Sequence, residues 1–186
     1  MTHIGIIIGS TRPGRKAAEV AHWVHGIAAL RTDATFEVVD LADHALPLLD
    51  EPVPPSMGDY RHEHTHTWAG TVAACDGFVF VTPEYNHSTS AALKNALDYV
   101  YAEWNNKAAG FVGYGAAGGT RAVEHLRLVM GELQVADVRS QVALSLMDDF
   151  AQMSQFSPRP HQEQAVEAML DQLVAWSAAM APLRAA

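Results

Sequence analysis

A doubly wound α/β sandwich on a parallel sheet is the fold class this sequence predicts, and three observations predict it. Short, continuously apolar runs alternate with longer stretches of helical periodicity, five of each. The runs are apolar at successive positions rather than at alternate ones, which suits strands covered on both faces. Glycine-rich or proline-containing turns follow three of them, at Gly9, Pro83 and Gly115.

Ile4–Ile8 is unbroken and β-branched and is expected to be strand 1. From Arg15 to about Leu30, Ala18, Ala21, Val24 and Ala28 recur at spacings of three and four, the stripe of an amphipathic helix. Phe36–Leu41 is the second strand, and the prolines at 47, 52, 54 and 55 then forbid regular structure. So long a loop in a compact domain is expected to act as a lid or a contact surface. Thr65–Ala74 is a helix, Gly77–Val81 strand 3, Ser90–Trp104 a helix and Ala109–Gly113 strand 4. Gly119–Leu133 and Gln162–Met180 complete the helices, the latter with Leu170, Leu173 and Val174 on one stripe, and Val138–Leu144 is strand 5.

This alternation implies right-handed crossovers with helices on both sheet faces. Five strands in 186 residues suit the flavodoxin-like order 2-1-3-4-5 better than a six-stranded dinucleotide fold. The length fits one domain over residues 1–186. In that order strands 1, 3 and 4 are neighbours, so the turns after them converge on one crevice at the carboxyl edge of the sheet, where such folds bind ligands.

Composition narrows the partners. A formal net charge of −9 repels phosphate backbones and anionic surfaces, which argues against nucleic acid. No apolar run approaches the roughly 20 residues that span a bilayer. Met1, Thr2 and His3 lead directly into the first strand pattern without a secretory signal, so a cytoplasmic location is expected. Cys75 is the only cysteine, which excludes an internal disulfide and a cysteine cage; it is expected to be a buried thiol at a helix end.

Against this acidic background Arg12, Arg15 and Lys16 cluster in the first turn, which suggests a small anionic ligand. Ser10 and Thr11 offer hydroxyls and N–H groups near a helix start, a place that favours a phosphate; a plain capped turn is the alternative. Gly9 and Gly14 have P-loop spacing, but Arg15-Lys16 stands where Lys-Ser/Thr is required, so a nucleotide hydrolase is disfavoured. The G-x-G-x-x-G fingerprint fails at Thr11. In the second turn Pro83, Glu84, Tyr85 and Asn86 present an acceptor, an aromatic face and an amide to a planar ring, or else form a turn before a cap at Ser88 or Ser90. In the third, Gly115, Ala116, Gly118 and Gly119 allow close backbone approach to a ligand, although glycine turns of this kind also occur without one.

Together, Gly9-Ser-Thr-Arg12, Pro83-Glu-Tyr-Asn86, Leu93-Lys-Asn-Ala-Leu-Asp98 and Tyr114-Gly-x-x-Gly-Gly-x-Arg-Ala122 resemble the NAD(P)H-dependent FMN reductase family, from Ile4 to about Leu146. The resemblance implies a flavodoxin-like fold and an FMN-containing oxidoreductase. It would pass hydride from NADPH or NADH to FMN and then to a quinone, flavin or similar small acceptor in ping-pong fashion. It further implies that Ser10, Thr11, Arg12 and Lys16 hold the FMN phosphate, Pro83, Glu84, Tyr85 and Asn86 the isoalloxazine, and Gly115, Ala116 and Gly118 the pyrimidine side. A homodimer or a dimer of dimers is implied as well. Because the cofactor carries the chemistry, no catalytic dyad is expected. An FMN-binding carrier or regulator is the alternative, and the departure Arg15-Lys-Ala-Ala18 leaves open a scaffold that has lost the flavin.

Two further features stand apart. His62, His64 and His66 alternate, and on a helix His62 and His66 would share a face; a solvated helix start at the site rim is favoured over a metal site. The stretch Ala91–Trp104 is apolar on more than one face, and the surplus is expected to form a dimer contact.

Overall fold

The computed structural model describes residues 1–184; residues 185 and 186 of the expected domain lie outside the described ones. Five parallel strands, β1 (Thr2–Ile8), β2 (Ala34–Asp40), β3 (Gly77–Pro83), β4 (Ala108–Gly115) and β5 (Ala136–Ser145), form one sheet in the order β2-β1-β3-β4-β5. This is the expected flavodoxin-like order. Helices α1 (Ala17–Ala28), α2 (Leu41–His44), α3 (Glu63–Ala74), α4 (Ala91–Asp98), α5 (Thr120–Glu132) and α6 (His161–Arg184) connect and cover it.

The strands read as unbroken apolar runs because both faces are covered. Every residue of β3 and of β4 is buried. Side chains alternate across the sheet. Ile4, Ile6 and Ile8 therefore meet α1 and α6, while Ile7, Phe78, Phe80 and Phe111 meet α3, α4 and α5. The two faces differ in bulk. Alanines 17, 21 and 28 bring α1 close to the sheet on one side, and on the other Trp68, Trp104 and the three phenylalanines fill a thicker layer. Both buried indoles are satisfied: Trp68 Nε1 donates to Ala96 O at 2.8 Å and Trp104 Nε1 to Leu97 O at 3.2 Å.

Four details differ from expectation. Helix α4 stops at Asp98 instead of Trp104, because turns donating from Trp104 N to Tyr101 O and from Asn105 N to Ala102 O reverse the chain. They let the Trp104 ring drop to 4.8 Å from Phe78. Most of the apolar surplus of this stretch is internal: Leu93, Ala96, Leu97, Val100 and Trp104 are buried within the one chain, and Tyr101 is half-buried. The short α2 follows β2 because Asp40 caps it, accepting from Ala42 N. A small antiparallel hairpin, β6 (Phe150–Ala151) with β7 (Gln155–Phe156), lies in the β5–α6 connection. Finally, His62 is extended and precedes α3, so it shares no helical face with His66; its ring stacks on His64 at 5.1 Å, and His66 meets Tyr60.

The proline-rich segment is a fastened strap rather than a free lid. Asn95 Nδ2 and Tyr99 OH donate to Pro47 O at 2.6 and 3.0 Å, and Leu49 N donates to Asn95 Oδ1. Asp50 Oδ1 lies 3.1 Å from the same Tyr99 hydroxyl, sharing its one proton with Pro47 O, and 3.0 Å from His64 Nε2, while Glu51 receives the N–H groups of Arg61 and His62. A proline-poor 3₁₀ turn is not needed here; the one that forms, Pro55–Met57, starts with proline at its first position, where no N–H is missed.

Asp149 organises the β5–α6 connection. Its side chain is fully buried and accepts from Ser145 N, Arg159 N, Arg159 Nε and Gln162 Nε2. Burial opposes its ionisation, but the Arg159 guanidinium and these N–H donors outweigh it and hold the carboxyl below its ordinary range. A carboxyl lowered in the folded state stabilises at pH above its unfolded value, and that contribution disappears as pH falls through the folded one. Asp149→Asn is expected to cost about 1–3 kcal/mol at pH 7, because an amide cannot accept from all of Ser145 N, Arg159 N and Gln162 Nε2 and sets its own NH2 against one of these buried donors. In thermal melts its deficit against the parent chain should shrink below about pH 4; a deficit of equal size at pH 3 would refute the ionic assignment.

Candidate functional site

The β1–α1 loop begins with a backbone contact that only glycine permits. Gly9 N donates to Val81 O at 2.8 Å, and a Cβ at Gly9 would lie 2.5 Å from that oxygen and 2.9 Å from Leu93. The next residue, Ser10, is thereby buried against β3, and its Oγ lies 3.2 Å from Tyr85 OH. Arg12, exposed, places Nε 3.2 Å from the same phenol. Thr11 is exposed beside them and lines a cavity of about 340 Å³ with Leu41, Ala42, Leu46, Ala92 and Asn95. Arg15 and Lys16 diverge: Arg15 pairs with Asp40, whereas Lys16 stands at the N-cap of α1 with Nζ 2.7 Å from Glu19. Ser10 thus lies six residues before the cap, and α1 directs its first turn toward Lys16 rather than toward Ser10.

The β3–α4 loop is a tight two-residue turn. Tyr85 and Ser88 exchange backbone hydrogen bonds of 2.9 and 3.0 Å around Asn86 and His87, both left-handed at φ 49° and 69°. Such a pair resembles the turns of β-hairpins, where asparagine is favoured. Pro83 ends β3, buried. Ser90 then caps α4, accepting from Leu93 N at 3.0 Å, and its hydroxyl donates back to Gly9 O, tying this loop to the first.

The β4–α5 loop folds over its own strand. Gly118 and Gly119 have φ of 66° and 69°, and a Cβ on Gly119 would sit 2.5 Å from Tyr114 N. Gly115 O accepts from both Gly118 N and Leu146 N, and Ala116 is exposed at the tip. Glu84 joins this loop to the second. Its side chain is 6 % exposed and receives Arg121 Nε at 2.6 Å and Arg121 N at 3.1 Å, while Arg121 also reaches His87 Nε2 at 2.9 Å. Burial works against the Glu84 carboxylate, but Arg121 outweighs it and keeps the group ionised and below the usual range.

The three loops therefore form one laced rim. Ser10, Arg12 and Tyr85 converge, and Gly115 faces Glu84 at 3.1 Å as a Cβ would meet it. The carboxylate of Glu84 is engaged by Arg121, so toward the crevice that residue offers its backbone. Ser90, of the two residues the sequence offered, is the cap; Tyr114 and Arg121 stand out in the sequence only as members of the third motif, and Asp40 not at all. The phenol of Tyr114 is raised above its ordinary pKa by burial and by Tyr85, and it senses Arg12 and Arg15. A signal for Asp40 was available: strand order sets it beside Ile8, within reach of the first loop.

Parallel order with the reversal of winding between β1 and β3, and a polar rim at the carboxyl ends flanking that reversal, define a flavodoxin-like fold, and the crevice at such a reversal is where open α/β sheets bind ligands. A family model described as NADPH-dependent FMN reductase matches residues 2–149. The chain belongs to that family, and it is an oxidoreductase that uses FMN and takes electrons from NAD(P)H. It is 42% identical over 146 residues to an NAD(P)H-dependent FMN reductase of Schizosaccharomyces pombe, covering 77% of this chain and 73% of that protein. It is 32% identical over 142 residues to a 2-hydroxy-1,4-benzoquinone reductase of Burkholderia sp, covering 71% and 72%. A solved flavoenzyme NAD(P)H:(acceptor) oxidoreductase of Paracoccus denitrificans shares the fold at a TM-score of 0.74 and 18% identity, over 97% of this chain and 99% of that one.

Gly119→Ala is expected to destabilise the chain by about 2 kcal/mol, since the added methyl must displace the Tyr114 backbone in a left-handed conformation. Gly131→Ala, with nothing within 4 Å of the added atom in α5, should be neutral or slightly stabilising. Urea midpoints of the two variants check the contrast.

Proposed function

We propose that the chain acts as one FMN-binding domain, an NAD(P)H-dependent reductase of quinones, flavins or similar small acceptors, with donor and acceptor taking turns in one crevice. The observation that carries this reading is the convergence of Ser10, Arg12 and Tyr85 beside the Gly115–Gly119 turn at the β1/β3 reversal. The donor set fits the cofactor. A guanidinium and a hydroxyl suit a phosphate monoester, and the buried Arg15 Nε has no partner among the described residues. The glycine turn, packed against its own strand, leaves Ala116 and Ala117 exposed at its tip, where backbone N–H groups suit a ring edge that accepts hydrogen bonds.

Ser10, Thr11 and Arg12 would hold the phosphate, and Lys16, whose Nζ is turned to Glu19, would add only its charge at longer range. Pro83, Tyr85 and Asn86 and the backbone of Glu84 would support the ring, and Gly115, Ala116 and Gly118 its pyrimidine side. When bound, FMN supplies the capacity to accept and return a hydride. The protein's part is to bind and orient. The Glu84–Arg121 pair fixes the second loop against the third, and Tyr85 positions Arg12. The strap is fastened to α4 through Asn95, which together with Leu46 also lines the cavity beside Thr11. A quinone-class acceptor is supported by the Burkholderia relative, named a benzoquinone reductase. We also infer a cytoplasmic homodimer or tetramer; Leu48 and Met57, 82% and 71% exposed on the strap, are apolar surface suited to self-association.

Arg12→Ala should weaken FMN binding about 10-fold or more, the loss of a charge-assisted hydrogen bond worth roughly 1.5–3 kcal/mol. Its melting temperature without FMN should match the parent's, because Arg12 is exposed. Fluorescence titration checks the first and calorimetry the second; unchanged affinity removes Arg12 from the phosphate site. Initial rates with NADPH and a benzoquinone varied together should give parallel double-reciprocal lines. Intersecting lines would exclude the shared crevice, and flavin that binds but is not bleached by NAD(P)H under nitrogen would make the protein a carrier.

A further inference from the structure

At the opposite, amino-terminal edge of the sheet, three different donor atoms converge. His3 on β1 and Glu37 on β2 point to the α3 side, and Cys75 descends from the end of α3 into the space left by Gly5, where a Cβ would lie 3.0 Å from its sulfur. His3 Nε2 lies 3.2 Å from Glu37 Oε1, Cys75 Sγ lies 3.5 Å from the same oxygen, and all three ligand atoms fall within 4.8 Å of one another. Among the described residues no other group of three such side chains closes so tightly.

The partners around the cluster are placed as a cation would need them. Thr35 Oγ1 lies 2.9 Å from His3 Nδ1 and holds the far side of the ring, so that Nε2 faces Glu37 Oε1 at 3.2 Å. The Cys75 thiol donates to the same oxygen at 3.5 Å, with Thr71 O at 3.7 Å, so one carboxylate oxygen meets both an imidazole nitrogen and a sulfur. A cation seated among the three would take the place of the thiol proton.

The geometry points to a divalent-cation site of the zinc class, with His3 Nε2, Glu37 Oε1 and Cys75 Sγ as ligands and a fourth position open to solvent. Metal bonds of about 2.0–2.3 Å at tetrahedral angles set ligand atoms roughly 3.3–3.8 Å apart, close to the spacings seen here. A hydroxyl holding the far nitrogen of the ring is the outer support that metal-binding histidines require. Sulfur with imidazole selects zinc over magnesium or calcium. His3 and Glu37 are only half-buried, so a hydrated ion can reach them, while the ammonium of nearby Lys107 is directed to Val72 O and Ala73 O instead. On binding, a sulfur–metal bond replaces the S–H bond and the proton leaves to water; no electron moves.

The site lies at the other end of β1 from Ser10, about 20 Å along the strand, so its test is separable from that of the flavin reading. Protein purified without a histidine tag is stripped with chelator, dialysed against Zn²⁺ and assayed for metal, and in parallel titrated with Co²⁺. The expected result is one zinc per chain and a near-ultraviolet sulfur-to-cobalt band. Cys75→Ser should abolish the band, and it and His3→Gln should each weaken zinc binding at least 10-fold. His64→Ala, which removes an imidazole from the first turn of α3, should leave zinc binding unchanged. His3→Gln alters a half-exposed side chain, so its result stands even if Cys75→Ser folds poorly. Failure to retain zinc would mean that a proton alone bridges His3 and Glu37, and undiminished binding in His3→Gln would place the metal elsewhere; either overturns the assignment.

Discussion

One nearly buried carboxylate holds the site together. Glu84 leaves the end of β3, reaches across to the start of α5 and receives both the guanidinium and the backbone N–H of Arg121. Through it the second loop is set against the third, and through Tyr85, next in sequence, the second loop meets Ser10 and Arg12 of the first. Residue 85 has its direction because residue 84 is anchored. The turn that follows keeps two non-glycine residues in left-handed conformations, each costing on the order of 1 kcal/mol, and the Tyr85–Ser88 bonds offset that cost.

The core explains why such a rim can be rigid without a large enclosing pocket. The aromatic side of the sheet is interlocked, with Phe78 between Phe80 at 5.8 Å and Trp104 at 4.8 Å, and Phe80 in turn against Phe111 at 6.0 Å. Each such side chain contributes roughly 1.5–3 kcal/mol on burial. Strand ends anchored in so dense a layer leave the loops little freedom of direction. Lys107 strengthens the same layer from below: burial lowers its pKa to about 8, yet its ammonium meets the orphan carbonyls Val72 O and Ala73 O at the end of α3.

Fold and site were legible in the sequence to different depths. Strands β1, β3 and β4 carry the unbroken apolar runs Ile4–Ile8, Gly77–Val81 and Ala109–Gly113, so their existence and burial follow from composition, and the order of the sheet follows from length and alternation. The loops could be named for the same reason: they begin where those runs end. What could not be read was how the polar groups pair. Glu84 looked like a ligand acceptor, but its partner Arg121 lies 37 residues away and is visible only when β3 and β4 are adjacent. Lys16 looked equivalent to Arg12, but the chain turns between them, and Lys16 falls to Glu19. The apolar stretch after Ala91 suggested a second face because periodicity does not show where a helix stops; the reversal at Tyr101 turns most of that surplus inward. The histidines depended likewise on one residue of helix boundary, since α3 begins just after His62.

Complete burial of β3 and β4 has a consequence for how this scaffold changes over time. With no side chain of these two strands exposed, the groups proposed to meet the flavin sit at or just beyond strand ends, on a rim a few residues deep. Substitutions there alter what is recognised while leaving the interlocked interior untouched, and substitutions in the interior threaten folding without refining recognition. Selection can act on the two almost independently. A lineage built on this frame can drift from one oxidant to another by exchanging surface residues alone, with its architecture held constant.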